Sequence, residues 1–303
     1  MVRCSVVIAV YNGEKYIKST LDSIINQNYE NMEVIVVDDG SNDGTAMILK
    51  DFGEQIKYFR SNRVGPGGAR NIGIQNSMGE YIAFCDADDL WVSDKLRKQI
   101  QFMDNNLQVI GCYSDCEYID QNNCHIEDVD SISKIKDKTF YEKLLLGGNY
   151  VCFSSLLIRK VFLERVGGFD ESPELIGSED YDLLIRLAKE GEIRRVYDRL
   201  IQYRKYRGSL SSSNEKSFHS TLKVICKEMN KADWKNSFKK KVLCNFYDTF
   251  AYDFIGDGNS QMAWYCIRKA LMKNCFELRI QKNILRAFKL LFQQKYKKRK
   301  HCI

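Results

Sequence analysis

The sequence predicts an α/β domain built on a mostly parallel sheet with helices on both faces, followed by a C-terminal helical region. Three observations predict it. Short runs of Val and Ile alternate with amphipathic helical stretches through the first hundred residues, as strands buried on both faces do. Polar residues collect directly after each of those runs, where α/β sheets place their ligands. After Ser211 the pattern is helical to the end, without repeats or low-complexity segments.

Element by element, Cys4–Val10 reads as a buried strand, residues 14–25 as an amphipathic helix and residues 32–37 as a second buried strand. Residues 45–52 then read as helix, 56–59 as strand, 67–77 as helix and 81–84 as strand. Strand one runs into Tyr11-Asn-Gly-Glu14, strand two into Asp38-Asp-Gly-Ser41, strand three into the loop 65–71 and strand four into Asp86-Ala-Asp-Asp89. Four polar loops at one edge of one sheet converge on a single crevice. Farther on, 109–113 reads as strand, 140–146 as helix, the stretch from Ser178 as helix, and 193–197 and 201–203 as strands. A boundary near residue 214 closes this unit.

Composition narrows the function classes. A chain of 303 residues with 44% hydrophobic content builds a substantial core. Behind Arg3 the apolar run 6–10 is too short for a signal peptide, and no stretch approaches the roughly 20 apolar residues of a membrane span. The 11 cysteines, scattered without a Cys-x-x-Cys pair, read as reduced thiols packed as small hydrophobes in a cytoplasmic protein. His125, His219 and His301 have no metal-ligand spacing, so imidazole is not expected to run the chemistry. The net charge of +6 divides unevenly. Residues 215–303 hold 20 Lys plus Arg against 7 Asp plus Glu (+13), leaving 26 against 33 (−7) in front.

Asp86 and Asp88 follow an apolar strand, so two carboxylates stand together where the backbone changes direction. Their repulsion favours a divalent cation of the magnesium or manganese type, which keeps positions open for phosphate oxygens. The bland alternative is that these acids cap the next helix. In the segment 38–45, Asp39, Ser41 and Asp43 mimic an EF-hand, but Lys50 stands where the loop needs Glu, which removes calcium. A tight turn with Asn42 or Asp43 capping the next helix accounts for residues 40–45, and Asp38 remains as a carboxylate able to accept from a base or ribose. The stretch 65–71 lacks Gly-x-Gly-x-x-Gly spacing and no P-loop occurs, so dinucleotide and P-loop classes lose support. Arg70 offers a fixed cation to a phosphate or a carboxylate. With histidine scarce, a base for a hydroxyl has to be a carboxylate, and Asp180, at a helix start beside Glu179, is the leading candidate against the bland reading of acids favoured by the helix dipole.

At this point the chain resembles family 2 of the glycosyltransferases, an inverting group with the GT-A fold. The resemblance covers residues 3–211. It rests on Ser5-Val-Val-Ile-Ala-Val-Tyr-Asn12, Val36-Val-Asp-Asp-Gly-Ser-Asn-Asp-Gly-Thr45, Gly68-Ala-Arg-Asn71, Phe84-Cys-Asp-Ala-Asp-Asp89, Gly167-Gly-Phe-Asp170 and Glu179-Asp-Tyr-Asp-Leu183, in the family's order. It implies a donor half at 1–108 and an acceptor half at 109–214. Tyr11 and Asp38 would flank the nucleobase, usually uracil, with Ala9, Asn12 and Glu14 nearby and Arg70 lining the nucleotide pocket. Asp86 and Ala87 would sit toward the ribose, Asp86 and Asp88 would hold Mn2+ or Mg2+ in the family's DXD motif, and Asp180 would be the base. Glu179, Trp91 and Arg204 are the candidates for acceptor or phosphate contact.

The expected partners are a nucleotide-sugar donor, a UDP-sugar first, and a saccharide or lipid-linked saccharide acceptor of bacterial surface polysaccharide assembly. Two departures stand out: Ala9 replaces a frequent Pro, and Tyr206 replaces the His of a Tyr-Arg-x-His ending, leaving Arg204, Arg207 or Ser209 to compensate at phosphate. Residues 281–303 carry eight Lys or Arg and no acid, with Ile284, Leu285, Phe288, Leu291 and Phe292 on one helical face. That pattern fits either peripheral contact with an anionic membrane or a helix packed on the catalytic unit. A nucleic-acid partner is not expected from an acidic front without a recognition motif. The rival functions are a catalytically silent scaffold, against which the three aspartates speak, and a nucleotidyltransferase, which needs a basic Gly-rich loop where Tyr11-Asn-Gly-Glu14 stands.

Overall fold

The computed structural model describes residues 2–27, 29–126, 138–206, 213–231, 233–273 and 278–300, the last stretch with side chains at 279–291. β1 (Cys4–Val10), α1 (Ile17–Ile25), β2 (Met32–Asp38), α2 (Thr45–Asp51), β3 (Lys57–Arg60), α3 (Gly65–Gln75) and β4 (Tyr81–Asp86) alternate as the sequence predicts. α1 starts at Ile17 rather than at residue 14, because residues 13–16 form a turn in which the Tyr16 amide donates to the Gly13 carbonyl at 3.0 Å. It buries Ile17, Thr20, Leu21 and Ile24, one face of a 3.6-residue period. α3 begins two residues early, so the expected loop 65–71 is instead its first two turns. Gly73 lets that helix lie directly on β1: a Cβ there would stand 2.4 Å from Val7 Cγ1.

The second half adds β5 (Leu90–Trp91), α4 (Lys95–Asp104), β6 (Gly111–Ile119), β7 (His125–Ile126), α5 (Phe140–Gly147), β8 (Leu157–Arg159), α6 (Lys160–Arg165), α7 (Glu179–Glu190) and β9 (Ile193–Arg204). β9 is one strand where the sequence suggested two, since irregular register against β6 between Ser114 and Cys116 loops out residues 197 and 198 and breaks the alternation. The sheet runs β3-β2-β1-β4-β8-β6-β9-β5, with β7 beside β6. β3, β2, β1 and β4 are parallel, as are β6 and β9, but β8 inserts antiparallel between β4 and β6. β5 and β7 also pair antiparallel, so the whole is a mixed sheet and the mostly parallel expectation holds for its first half. Strands of two or three residues are too short to show a period, which is why β5, β7 and β8 escape a sequence reading.

α8 (Asn214–Lys231), α9 (Asn236–Gly256), α10 (Ser260–Leu271) and α11 (Leu278–Lys300) follow. They share one apolar cluster with the α/β unit, running from Val7 and Phe84 through Phe153 and Leu184 to Phe218, Phe250 and Ala287. Lys227 of α8 donates to Asp170 and Asp182 at 2.6 Å each. Burial works against ionising Asp170, yet the bonds from Lys227 and Ser172 hold its carboxyl well below the usual range.

On α11 the buried side is Ile280, Asn283 and Ala287, with Asn283 donating to Asp248 at 2.8 Å; of the expected apolar face Ile284 packs in part on the core, while Leu285 and Phe288 stay exposed. Phe292, Arg207 and Ser209 lie outside the described residues. Among the described residues no helix is long and apolar enough to cross a membrane. Eight of the described cysteines are free, but Cys244 is disulfide-bonded, which corrects the expectation that every thiol is reduced. Spacing along the chain does not report which cysteines the packing of helices brings together.

Candidate active site

The loops after β1 and β2 are bound to each other backbone to side chain. The Asn12, Gly13 and Glu14 amides donate to Ser41 Oγ (2.9 Å), Thr45 Oγ1 (2.8 Å) and Asp43 Oδ2 (3.1 Å). In return the Asn42 and Gly44 amides donate to Asn12 Oδ1 (3.0 Å) and Glu14 Oε2 (2.7 Å). The side chains of Asn12 and Glu14 therefore act as latches between loops, a use the sequence did not suggest. Asp43 Oδ1 accepts from the Thr45 amide at 3.0 Å just before α2, but the N-cap position itself is Gly44 rather than the expected Asn42 or Asp43, because the turn carries the chain one residue farther before the helix starts.

Asp38 is fully buried at the end of β2. Its carboxylate accepts from the Ser41 amide (2.8 Å), Tyr58 Oη (3.1 Å) and Arg60 Nη1 (2.9 Å). Register places Val10 beside Asp38 and Ala9 beside Asp86, so the ends of β1, β2 and β4 lie side by side. Tyr11 stands out from this floor, 42% exposed, with the Arg63 guanidinium 3.8 Å from its ring centroid. Arg63 and Asp39 were not among the residues singled out from the sequence. Asp39 accepts from Ser61 Oγ, the Val64 amide and the Gly65 amide, and so shapes the entry to α3, with Gly40 between the two loops at φ +74°.

Beyond β4 the chain turns through Asp86-Ala-Asp-Asp89, and its three carboxylates play different parts. Asp89 is buried, bonded to Ser154 Oγ and to the Arg204 amide, and burial pushes its carboxyl well above the usual range. Asp86 and Asp88 are half-buried. Burial and the neighbouring Asp86 push Asp88 up to about 6, against a hydrogen bond from Tyr206. Tyr206 packs its ring 5.2 Å from that of Tyr16. The acids do not cap a following helix: α4 begins at Lys95 behind Asp94, with no side-chain cap. The Ala87 carbonyl accepts from Thr20 Oγ1 at 3.0 Å, which ties the turn to α1.

Two candidates for acceptor or phosphate contact prove to be internal. Trp91 is buried, its Nε1 donating to the Ser154 carbonyl at 3.1 Å and its ring covered by Lys95 Nζ at 3.8 Å, so it presents no face to a ligand. Arg204 is also buried. It donates to the Asp88 carbonyl (2.8 Å), the Asp120 carbonyl (3.0 Å) and Asn123 Oδ1 (2.6 Å), which fixes the Asp86–Asp89 turn against the β6–β7 hairpin.

Arg70 joins the two halves of the cleft. From the first half of α3 its Nη2 donates to Asp86 at 2.7 Å and its Nη1 to Glu179 at 2.8 Å, with the guanidinium 4.9 Å from the Phe153 ring centroid. One buried guanidinium thus links the end of β4 to the first turn of α7, and Asp180 comes to the same side of the sheet as Asp86. Asp180 accepts from Asn149 Nδ2 and from the Tyr181 amide, both at 2.7 Å. Burial, then repulsion by Glu179, push its carboxyl up to about 7, with Arg70 pulling the other way. Asn71, next to Arg70, holds Phe169 and Glu171 through its side chain, which anchors the Gly167–Asp170 segment on α3.

Asp86 and Asp88 suit a hard divalent cation. Burial, and then repulsion by Asp86, raise the Asp88 carboxyl, and a bound cation would offset that repulsion. Among the described residues no group of three or more His, Cys, Asp or Glu forms a metal cage.

The comparisons fit this geometry. The model of "Glycosyl transferase family 2" matches residues 5–167. An uncharacterized glycosyltransferase of Rickettsia typhi is 34% identical over 203 residues, which is 66% of this chain and 63% of the relative, so the match spans less than two thirds of that protein. The UDP-Glc:alpha-D-GlcNAc-diphosphoundecaprenol beta-1,3-glucosyltransferase WfaP of Escherichia coli is 29% identical over 283 residues, 92% of this chain and 98% of WfaP. Among solved structures, S. aureus TarS in complex with UDP-GlcNAc superposes with a TM-score of 0.64 at 20% identity, over 90% of this chain and 89% of the other. The mannosyltransferase PcManGT of Pyrobaculum calidifontis in complex with GDP-Man and Mn2+ gives 0.64 at 18%, over 98% and 82%. The matched residues include the β1, β2 and β4 loops and Arg70, the solved neighbours share the whole architecture, and on both counts the chain belongs to glycosyltransferase family 2, with the GT-A fold.

Proposed function

We propose that this chain is an inverting, metal-dependent transferase that moves a sugar from a nucleoside diphosphate donor, a UDP-sugar, to a hydroxyl of a saccharide or lipid-linked saccharide in surface polysaccharide biosynthesis on the cytoplasmic side. The observation that carries it is Arg70, which ties the carboxylate turn after β4 to the helix bearing Asp180. The names of WfaP and of the TarS complex support uridine as the base, and the PcManGT complex supports manganese.

In this reading Tyr11, beside Arg63, offers a ring to the nucleobase, and Asp38 shapes the floor beneath it. Ala9 and Ala87 leave room at the strand ends for the donor. Asp86 and Asp88 would hold the cation, which when bound offsets the charge that develops on the departing diphosphate. Asp180 receives the proton of the acceptor hydroxyl. The oxygen bonds to the anomeric carbon as that carbon's bond to the diphosphate oxygen breaks, and the bonding pair leaves with the diphosphate. Attack from the face opposite the leaving group inverts the configuration. Asn149 keeps the Asp180 carboxylate pointed, and a carboxyl raised toward neutrality is a better base than an ordinary one at working pH. Glu179, engaged by Arg70 and by the Gly177 amide, positions the first turn of α7.

The test is nucleoside diphosphate release from a panel of UDP- and GDP-sugars with Mn2+, with and without a lipid-pyrophosphate-linked saccharide. Release that needs a UDP-sugar, Mn2+ and acceptor together, with inverted product by proton NMR, is expected. Asp88→Asn should remove the Mn2+ dependence and weaken donor binding. Retained anomeric configuration, or equal turnover in EDTA, sinks the proposal.

A further inference from the structure

A second cavity, of about 1120 Å3, opens beside α5 and away from the strand ends. Five cations line it, Lys138, Lys143, Lys189, Arg194 and Arg195, against one acid, Glu192. The rings of Tyr113, Phe140, Tyr141, Tyr150 and Tyr197 make up much of the remaining wall. Much of this charge is already balanced: Arg195 grips both oxygens of Asp115 at 2.6 and 2.7 Å, Lys189 pairs with Glu228, and Lys138 reaches Glu142 at 3.4 Å. Among the described residues Lys143 has no ion-pair partner, while Arg194 donates to Glu192 at 2.8 Å and to Asn106 at 3.2 Å, its pair with Glu192 lying at an exposed edge. Tyr197 is 83% exposed at the mouth, and the buried Tyr150 hydroxyl finds no hydrogen-bond partner of normal geometry. A monomer gains nothing for its fold from an unpaired lysine, an ion pair left at an exposed edge and an open tyrosine face around a cavity of ligand size.

The cavity also has a direction. α5 lies alongside α7, with Tyr181 Oη donating to the Leu144 carbonyl and Lys189 Nζ over the Tyr141 ring. Past the end of α5 comes Asn149, which holds Asp180, and then Tyr150, which lines the cavity. From Asp180 to Lys189 the axis of α7 rises about 13 Å at ~1.5 Å per residue, farther than one sugar ring extends. A saccharide presenting its hydroxyl to Asp180 would therefore carry its next units past Tyr150 into this chamber.

We propose that the cavity is an acceptor subsite that reads phosphate: it takes a phosphate-bearing saccharide, with sugar rings on the tyrosines and phosphate oxygens at Lys143 and Arg194. This rests on the transferase reading above and adds the charge class of its acceptor. Phosphate groups reach such a site from two sources, the pyrophosphate joining a saccharide to a lipid and a phosphodiester within a glycan.

The test is calorimetric binding to the full chain, without nucleotide, of three probes sharing one disaccharide: its short-chain lipid pyrophosphate, its phosphodiester-linked dimer and the neutral sugar. At least one phosphorylated probe should bind about tenfold or more tighter than the neutral sugar, and the margin should shrink as salt rises. The arm that binds identifies the source. Lys143→Glu with Arg194→Ala should erase the margin, and Tyr197→Ser, a change at an exposed side chain, should weaken every probe severalfold. All these variants should keep UDP affinity and the slow hydrolysis of donor by water, because none of the residues lies at the strand ends. Equal affinity for neutral and phosphorylated probes, or an undiminished margin in the double variant, overturns the subsite. Failure of the wild-type chain to bind UDP counts against the transferase reading instead, since the phosphate margin is measured without nucleotide.

Discussion

Replacing Asp180 by Asn should separate catalysis from stability in opposite directions. The carboxyl sits in a half-buried place beside Glu179, and its pKa is pushed from 3.8 up to about 7. The fold therefore prefers the protonated form. Protonated Asp180 contributes fully below about pH 4, and that contribution is lost as pH rises through 7, so above neutrality the wild-type chain carries a carboxylate it would be more stable without. Three units at ~1.36 kcal/mol each set a ceiling of about 4 kcal/mol, and partial exposure to water reduces it to roughly 1–2 kcal/mol. For 303 residues at ~2.1 cal/mol/K each, this is a rise of about 2–3 °C in Tm at pH 8. At pH 5 only about a third of the gain should remain. Turnover should fall by about 10² to 10⁴ as the base is lost, while UDP affinity stays within about twofold. Scanning calorimetry at pH 5 and pH 8, alongside nucleotide release and UDP titration, reads all three. Turnover within tenfold of wild type would remove Asp180 from the base role. A variant no more stable than wild type at pH 8 would show that the carboxylate is not held against its preference.

Other substitutions probe the supports of the cleft. Arg70→Lys keeps the charge but loses the fork that reaches Asp86 and Glu179 together, so turnover should drop at least a hundredfold and stability by about 2–3 kcal/mol, read by activity and calorimetry. Gly73→Ala pushes a methyl against Val7 and should lower stability by about 1–3 kcal/mol without changing KM, with Val7→Ala in the same chain restoring part of the loss in a double-mutant cycle.

Much of the first hundred residues was legible in the sequence because each of its elements carries its own periodicity. β1, β2 and β4 are runs of buried Val, Ile and Phe, and their polar sequels do gather at one sheet edge. The stretch from β5 to β9 was less legible because its pairing is long-range: β8 is three residues long, and nothing within those residues says that they will pair antiparallel between β4 and β6. Within the cleft, residue type announced chemistry but not orientation. Asp38 and Asp39 are adjacent acids, and only the fold decides that one meets Arg60 and the other caps the approach to α3. Arg204 and Trp91 carry groups suited to ligands, yet both are consumed by backbone carbonyls around the carboxylate turn. Arg70 read correctly as a fixed cation, but its second partner lies 109 positions away, beyond the reach of any local pattern.

The two bonds from Lys227 tie the last third of the chain to the segment beside the cleft. Asp170 closes the segment that Asn71 anchors, and Asp182 lies two residues beyond Asp180 on α7, so a single ammonium group on α8 ties that segment to the first turn of α7. The rear helices are thus a chassis rather than a detachable appendage. Exchanging them for those of a relative would demand a matching cation at that position, or the first turn of α7, with Asp180 in it, would lose this brace even with every front-half motif intact.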